Sequence, residues 1–127
     1  MSKFPRMEKK DIHFENFKQA IISTIKSISE RSDCKVSFGE QNKKDNKCVN
    51  LPEIKKLDNP QDYFSLRATA DSEALRIKYS NINIFDAYKP KGDNAKKLYE
   101  IAEKIRYEKI GSDKFKGVKK NLSKNIK

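Results

Sequence analysis

What most constrains this chain is the spacing of its apolar residues. Phe14, Phe17, Ile21, Ile25 and Ile28 recur at intervals of three or four, with Lys18, Lys26 and Glu30 turned away from them. A stripe of that period is the inward face of an amphipathic helix. The spacing predicts a first helix that stops near Ser32, where "RSDC" supplies turn formers. In "CKVSFG" the period becomes two, and Cys34, Val36 and Phe38 alternate with Lys35 and Ser37 as in a half-buried strand ending at Gly39. The polar "EQNKKDNK" separates it from the short apolar "CVNLPEI". The two pieces are expected to pair as a small hairpin with a long loop, Pro52 confining the second to an edge.

Asn59 and Pro60 form a strong helix start, a capping side chain followed by Pro at the first helical position, with Asp62 in the first turn. The helix runs through "QDYFSLRATADSEALRIKYS", and its apolar set of Tyr63, Phe64, Leu66, Ala70, Ala74, Leu75 and Ile77 is broad enough for a central position. "NINIFDAYKPKG" is too apolar for a free linker and is expected to pack as a short turn across the helices. Asp93 or Asn94 then caps a third helix, with Ala95, Leu98, Ile101, Ala102 and Ile105 as its inward stripe and Gly111 as its stop. Phe115, Val118, Leu122 and Ile126 keep helical spacing to the end. The expected fold class is mostly α with a small β-hairpin: three to four packed helices over residues 13–122, a flexible basic N-terminus at 1–12 and a frayed basic tail at 123–127.

A chain of 127 residues suits one core. No stretch approaches the roughly 20 apolar residues that cross a bilayer, and "MSKFPRMEKK" lacks the apolar run of a signal peptide, so a cytoplasmic protein is expected. In that compartment Cys34 and Cys48 are expected to stay reduced. The net charge of +11 gathers in lysines at both ends, Lys114, Lys116, Lys119, Lys120, Lys124 and Lys127 at the second. Clustered cations fit a nucleic acid or an acidic protein surface. Arg67, Arg76 and Arg106 lie inside the helical middle, which is unlike a DNA reader built on Arg forks.

The sequence has no Gly-rich phosphate loop, no Rossmann glycine pattern and no His pair on a helix, and His13 is its only histidine. Neither a catalytic constellation nor a metal site is expected. The charged residues of the middle are the remaining candidates. Arg67 and Asp71 are four apart on the central helix, with Glu73 and Arg76 beyond. In "EKIRYEKIG", Glu103 meets Arg106 one turn on, and Glu108 lies a turn beyond Lys104.

Read in order, "RATADSEALRIKYS", Pro90 in "AYKPKGDNAKKLYE", "EKIRYEKIG" and "FKGVKKNL" resemble the N-terminal region of CobT, a subunit of the aerobic, ATP-dependent cobaltochelatase. "CKVSFG" and "KCVNLPE" resemble the family's strand and its Leu-Pro-Glu. The resemblance places its charged pattern on Arg67, Asp71, Arg76, Glu103, Arg106 and Glu108, as interhelix or interface charges. Arg76 with Asp71, and Arg106 with Glu103 or Glu108, are expected to tie the helices and present a surface to a partner.

What the resemblance implies is a non-catalytic assembly module. Its partners would be an AAA+ ATPase subunit and a large corrin-binding subunit, in a complex that uses ATP, Mg2+ and Co2+ while this chain binds no cofactor itself. Family members continue to a von Willebrand A type domain with an Asp-x-Ser-x-Ser motif that does not occur here, which implies a fragment, a truncated product or a split subunit. The segment "YSNINIFDAY" also lacks the histidines expected after the family's central helix. The alternative is a basic helical module that binds nucleic acid.

Overall fold

The computed structural model describes residues 9–39, 49–53 and 59–125. Along the chain run α1 (Lys9–Ser29), β1 (Val36–Phe38), β2 (Val49–Leu51), α2 (Pro60–Tyr79), α3 (Ile82–Ala87), α4 (Asp93–Lys114) and α5 (Lys116–Asn125). The mostly helical class with a small β element is what the structure has. The first helix begins at Lys9, within the stretch expected to be flexible, and residues 1–8 lie outside the described residues. The last helix continues to Asn125, so only Ile126 and Lys127 of the expected frayed tail lie outside them.

The central helix is α2, packed against α1, α4, α5 and β2. Asn59 caps it, its side-chain oxygen accepting from the Gln61 N–H at 3.0 Å, with Pro60 in the first turn. Ala68, Ala70 and Ala74 are buried beside Leu66 and Leu75, and this run of small residues is what lets three helices close in on one. Ile21, Ile25 and Ile28 of α1 are buried in the same core, as their spacing requires, with Phe17 partly buried beside them. Cys34 is buried in that core too; Cys48 lies outside the described residues.

The two strands correct one expectation. They pair in parallel, Val36 opposite Val49 and Phe38 opposite Leu51, and do not form a hairpin. A hairpin closes through two to five residues, whereas the whole of residues 39–48 separates these strands, and a parallel pair needs such a crossover. The choice buries Val49 and Leu51 against the helices.

A second correction concerns α4. Gly111 is not a stop; the helix passes through it to Lys114. A Cβ at Gly111 would fall 2.8 Å from Leu75 Cγ and closer still to both Leu75 methyls. The glycine is therefore where α4 crosses against α2. Tyr107, one turn earlier on the same face, is the other buried residue of α4. The stripe expected to face inward is on the outside: Leu98, Ile101 and Ile105 are 68%, 54% and 63% exposed. The helix carries two faces, and the core takes the one with the glycine because only there does the backbone come close enough to bury Leu75. The cap is also different, Gly92 and not Asp93 or Asn94.

Candidate interaction surface

The residues from Tyr79 to Arg106 build the most distinctive surface. Ser80 ends α2, and Asn81 caps α3 at once, its side chain accepting from the N–H groups of Asn83 and Ile84 at 3.0 and 3.3 Å. The expected short turn is thus a six-residue helix. Phe85 of α3 stacks on Tyr99 of α4 with ring centroids 4.7 Å apart, and the Tyr99 hydroxyl donates to the Phe85 carbonyl at 2.8 Å. Lys89 reaches Glu100 at 3.2 Å. These three contacts brace α3 against the outer half of α4.

Arg106 and Glu103 join that unit to α2. The Arg106 guanidinium donates to both Glu103 carboxylate oxygens and to the Tyr79 carbonyl, the last at 2.6 Å. Glu103 in turn accepts from the Ser80 hydroxyl at 2.7 Å. The last carbonyls of a helix have no partner within it and carry its negative dipole end. Arg106 satisfies one of them on α2 from the neighbouring helix. The hydrogen bond from Arg106, assisted by that from Ser80 and by the guanidinium charge, holds the Glu103 carboxyl below the usual carboxylate range against its partial burial, and the same hydrogen bond holds the guanidinium above its ordinary value. This is why "EKIR" carries charges that an open helix face would not need.

The other expected charge pairs are arranged differently. Arg76 binds Glu73, three residues back, at 2.7 Å, and not Asp71. Asp71 is 3% exposed and accepts from the Asn121 amide of α5 at 2.8 Å. Burial pushes its carboxyl up, opposed by Asn121 and by the charge of Arg67. Glu108 accepts from the Ser72 hydroxyl at 3.0 Å. Asp71 and Glu108 therefore tie α2 to α5 and α4, through amide and hydroxyl partners that charge spacing alone does not reveal. The structure also adds Lys78 with Glu30 at 2.7 Å, a pair 48 residues apart that joins α2 to the end of α1 and lowers the Glu30 carboxyl.

Residues 12–127 match the family described as cobalamin biosynthesis protein CobT. The chain belongs to the CobT family. Its role accordingly lies in cobalamin biosynthesis. No solved structure matches this CobT chain.

Beside the Arg106–Glu103 pair the surface mixes apolar walls with charged rims. A hollow of about 460 Å3 has an apolar wall of Ile84, Phe85, Tyr99 and Ala102 and a polar rim of Asn81, Glu103 and Arg106, and a second of about 230 Å3 sets Ile82, Phe85 and Tyr107 beside Arg76, Glu100 and Glu103. Ile82 and Ile84 are 53% and 58% exposed, so α3 adds apolar area to that of Leu98, Ile101 and Ile105. His13 sits exposed on α1, remote in sequence from this surface. Among the described residues no helix is long and apolar enough to cross a membrane.

Proposed function

We propose that this CobT chain is a non-catalytic, N-terminal assembly module of the cobaltochelatase, supporting ATP-dependent Co2+ insertion into the corrin ring. The observation that carries the reading is the outward stripe of Leu98, Ile101 and Ile105. Soluble domains rarely leave contiguous large apolar residues in water without a partner for them. Here the helix that bears them is held near its C-terminal end by Gly111 against Leu75, at its middle by the Arg106–Glu103 pair, and toward its N-terminal half by Tyr99 on Phe85, so the stripe is presented on a rigid support. Rigid presentation lowers the ordering cost of association.

In this reading the partners are the AAA+ ATPase subunit and the large corrin-binding subunit. ATP, Mg2+ and Co2+ belong to the complex, and this chain positions without reacting. The terminal lysines favour this over nucleic-acid binding, since Lys114 lies 5.3 Å from the Tyr79 ring and Lys124 lies 4.6 Å from the Phe64 ring, which uses part of the basic end within the fold.

The test is to mix the purified chain with the two chelatase subunits in moderate salt and measure the mass of the product by light-scattering chromatography. A stable complex that persists as salt is raised is the expected result. No complex, together with DNA binding that weakens with a log-salt slope near ~0.9 per phosphate contacted, would overturn the reading.

A further inference from the structure

The charges that frame the α4 stripe identify the chemistry of what covers it. Leu98, Ile101 and Ile105 follow helical spacing over two turns, about 10 Å of exposed ridge. On one margin stand Lys97 and Lys104, seven residues apart and both exposed, with no ion-pair partner among the described residues. On the other stand Ala95 and Ala102, small enough for a neighbouring backbone to approach, and then Arg106. Of the carboxylates nearest the stripe, Glu100 is ion-paired with Lys89 and Glu103 with Arg106, while Glu108 accepts a hydrogen bond from the neutral Ser72 hydroxyl and shares a hollow with Lys104. Ala102 also lines the hollow of about 460 Å3 with Ile84 and Tyr99, so an apolar wall continues from the ridge into a recess, rimmed by Asn81, Glu103 and Arg106, that could take one large side chain.

We infer that the outer face of α4 seats an amphipathic helix of a partner protein whose apolar stripe is flanked by Asp or Glu. The inference rests on reading that face as the assembly surface. A second copy is a poorer occupant: the chain carries a net charge of +11, and two such faces would bring Lys97 and Lys104 of each copy toward the cations of the other. An acidic helix removes both problems, because its apolar residues cover the ridge and its carboxylates meet the two unpaired lysines. Close pairing of the helices is helped by the alanine margin, and one bulky side chain in the recess would act as an anchor.

The probe is a pair of fluorescein-labelled helical peptides with one Leu stripe, flanked by Glu in the first and by Lys in the second, titrated with the full chain and read by anisotropy. The Glu peptide is expected to bind at least ten-fold more tightly. Ile101→Ser should weaken it at least ten-fold with the melting temperature unchanged, and Lys97→Glu combined with Lys104→Glu should reverse the preference. Equal binding of the two peptides, binding of neither, or indifference to Ile101→Ser would overturn the inference. So would a dimer of the chain, or adsorption to phosphatidylglycerol vesicles, that Ile101→Ser abolishes. If the peptide preference holds but the chelatase subunits do not bind, the assembly reading alone fails. If the subunits bind and the Lys97/Lys104 exchange leaves them unaffected, only the acidic helix fails.

Discussion

Replacing Gly111 by Ala sets helix propensity against packing. In an open helix the change would stabilise the protein by about 1 kcal/mol. Here the new Cβ would meet both methyls and the branch carbon of Leu75, a side chain with no exposed surface into which it could retreat. Overpacking a core costs roughly 1–3 kcal/mol. The upper end applies, because the clash reaches the branch carbon and is not relieved by rotating a flexible tip. The net expectation is a loss of about 2 kcal/mol. With an unfolding entropy of about 2.1 cal/mol/K per residue, over 127 residues this lowers the midpoint by about 7 °C. Differential scanning calorimetry measures it directly. In a Leu75→Ala background the obstructing atoms are gone, and the same substitution should raise the midpoint. A higher midpoint in the wild-type background would refute the assignment of Gly111 as the crossing point of α2 and α4.

Arg106→Gln removes the donor to the Tyr79 carbonyl and the partner of Glu103; since the Arg106 side chain is 48% exposed, solvent screening limits the expected loss to about 0.5–1 kcal/mol by urea unfolding. Because Glu103 has a folded-state pKa below 4.5, its contribution is complete above that value and is lost as pH falls through the lowered one. The Gln variant should lack this part of the acid limb. Asp71 behaves in the opposite sense: its pKa is raised above 3.8 by burial, so the folded state holds the proton more tightly and stability falls as pH rises through the raised value. Asp71→Asn keeps an acceptor for Asn121 and should flatten that dependence without lowering stability at pH 7, whereas Asn121→Ala leaves a buried carboxylate unpaired and should cost about 1–3 kcal/mol. Ile101→Ser should change unfolding stability by no more than about 0.5 kcal/mol, since the side chain is 54% exposed.

Periodicity made the α1 stripe and the broad apolar set of α2 legible, because both are resolved by one energetic demand, burial. Asn59 and Pro60 were legible for a local reason, the capping of free N–H groups. The α4 stripe was misread for a related cause. Periodicity says that a helix has an apolar face and does not say which protein buries it, so Leu98, Ile101 and Ile105 look the same in sequence whether they face a core or a partner. Gly111 was equally ambiguous, since a missing Cβ serves a helix end or a close crossing. The parallel pairing of Val36–Phe38 with Val49–Leu51 had one available signal, a connection too long for a hairpin. The partners of Asp71 and Glu108 had none, because Asn121 and Ser72 carry no charge and lie 50 and 36 residues away in the chain.

The outer face of α4 is proposed as the surface by which this chain meets its partners. Amide hydrogen exchange of the chain, alone and with the ATPase and corrin-binding subunits, tests it most directly. Added protection centred on Leu98 to Ile105 and on α3, with α1 unchanged, is the expected result. Protection confined to α1 or to the lysine-rich α5, or a complex that leaves Leu98 to Ile105 exchanging as in the free chain, would contradict it.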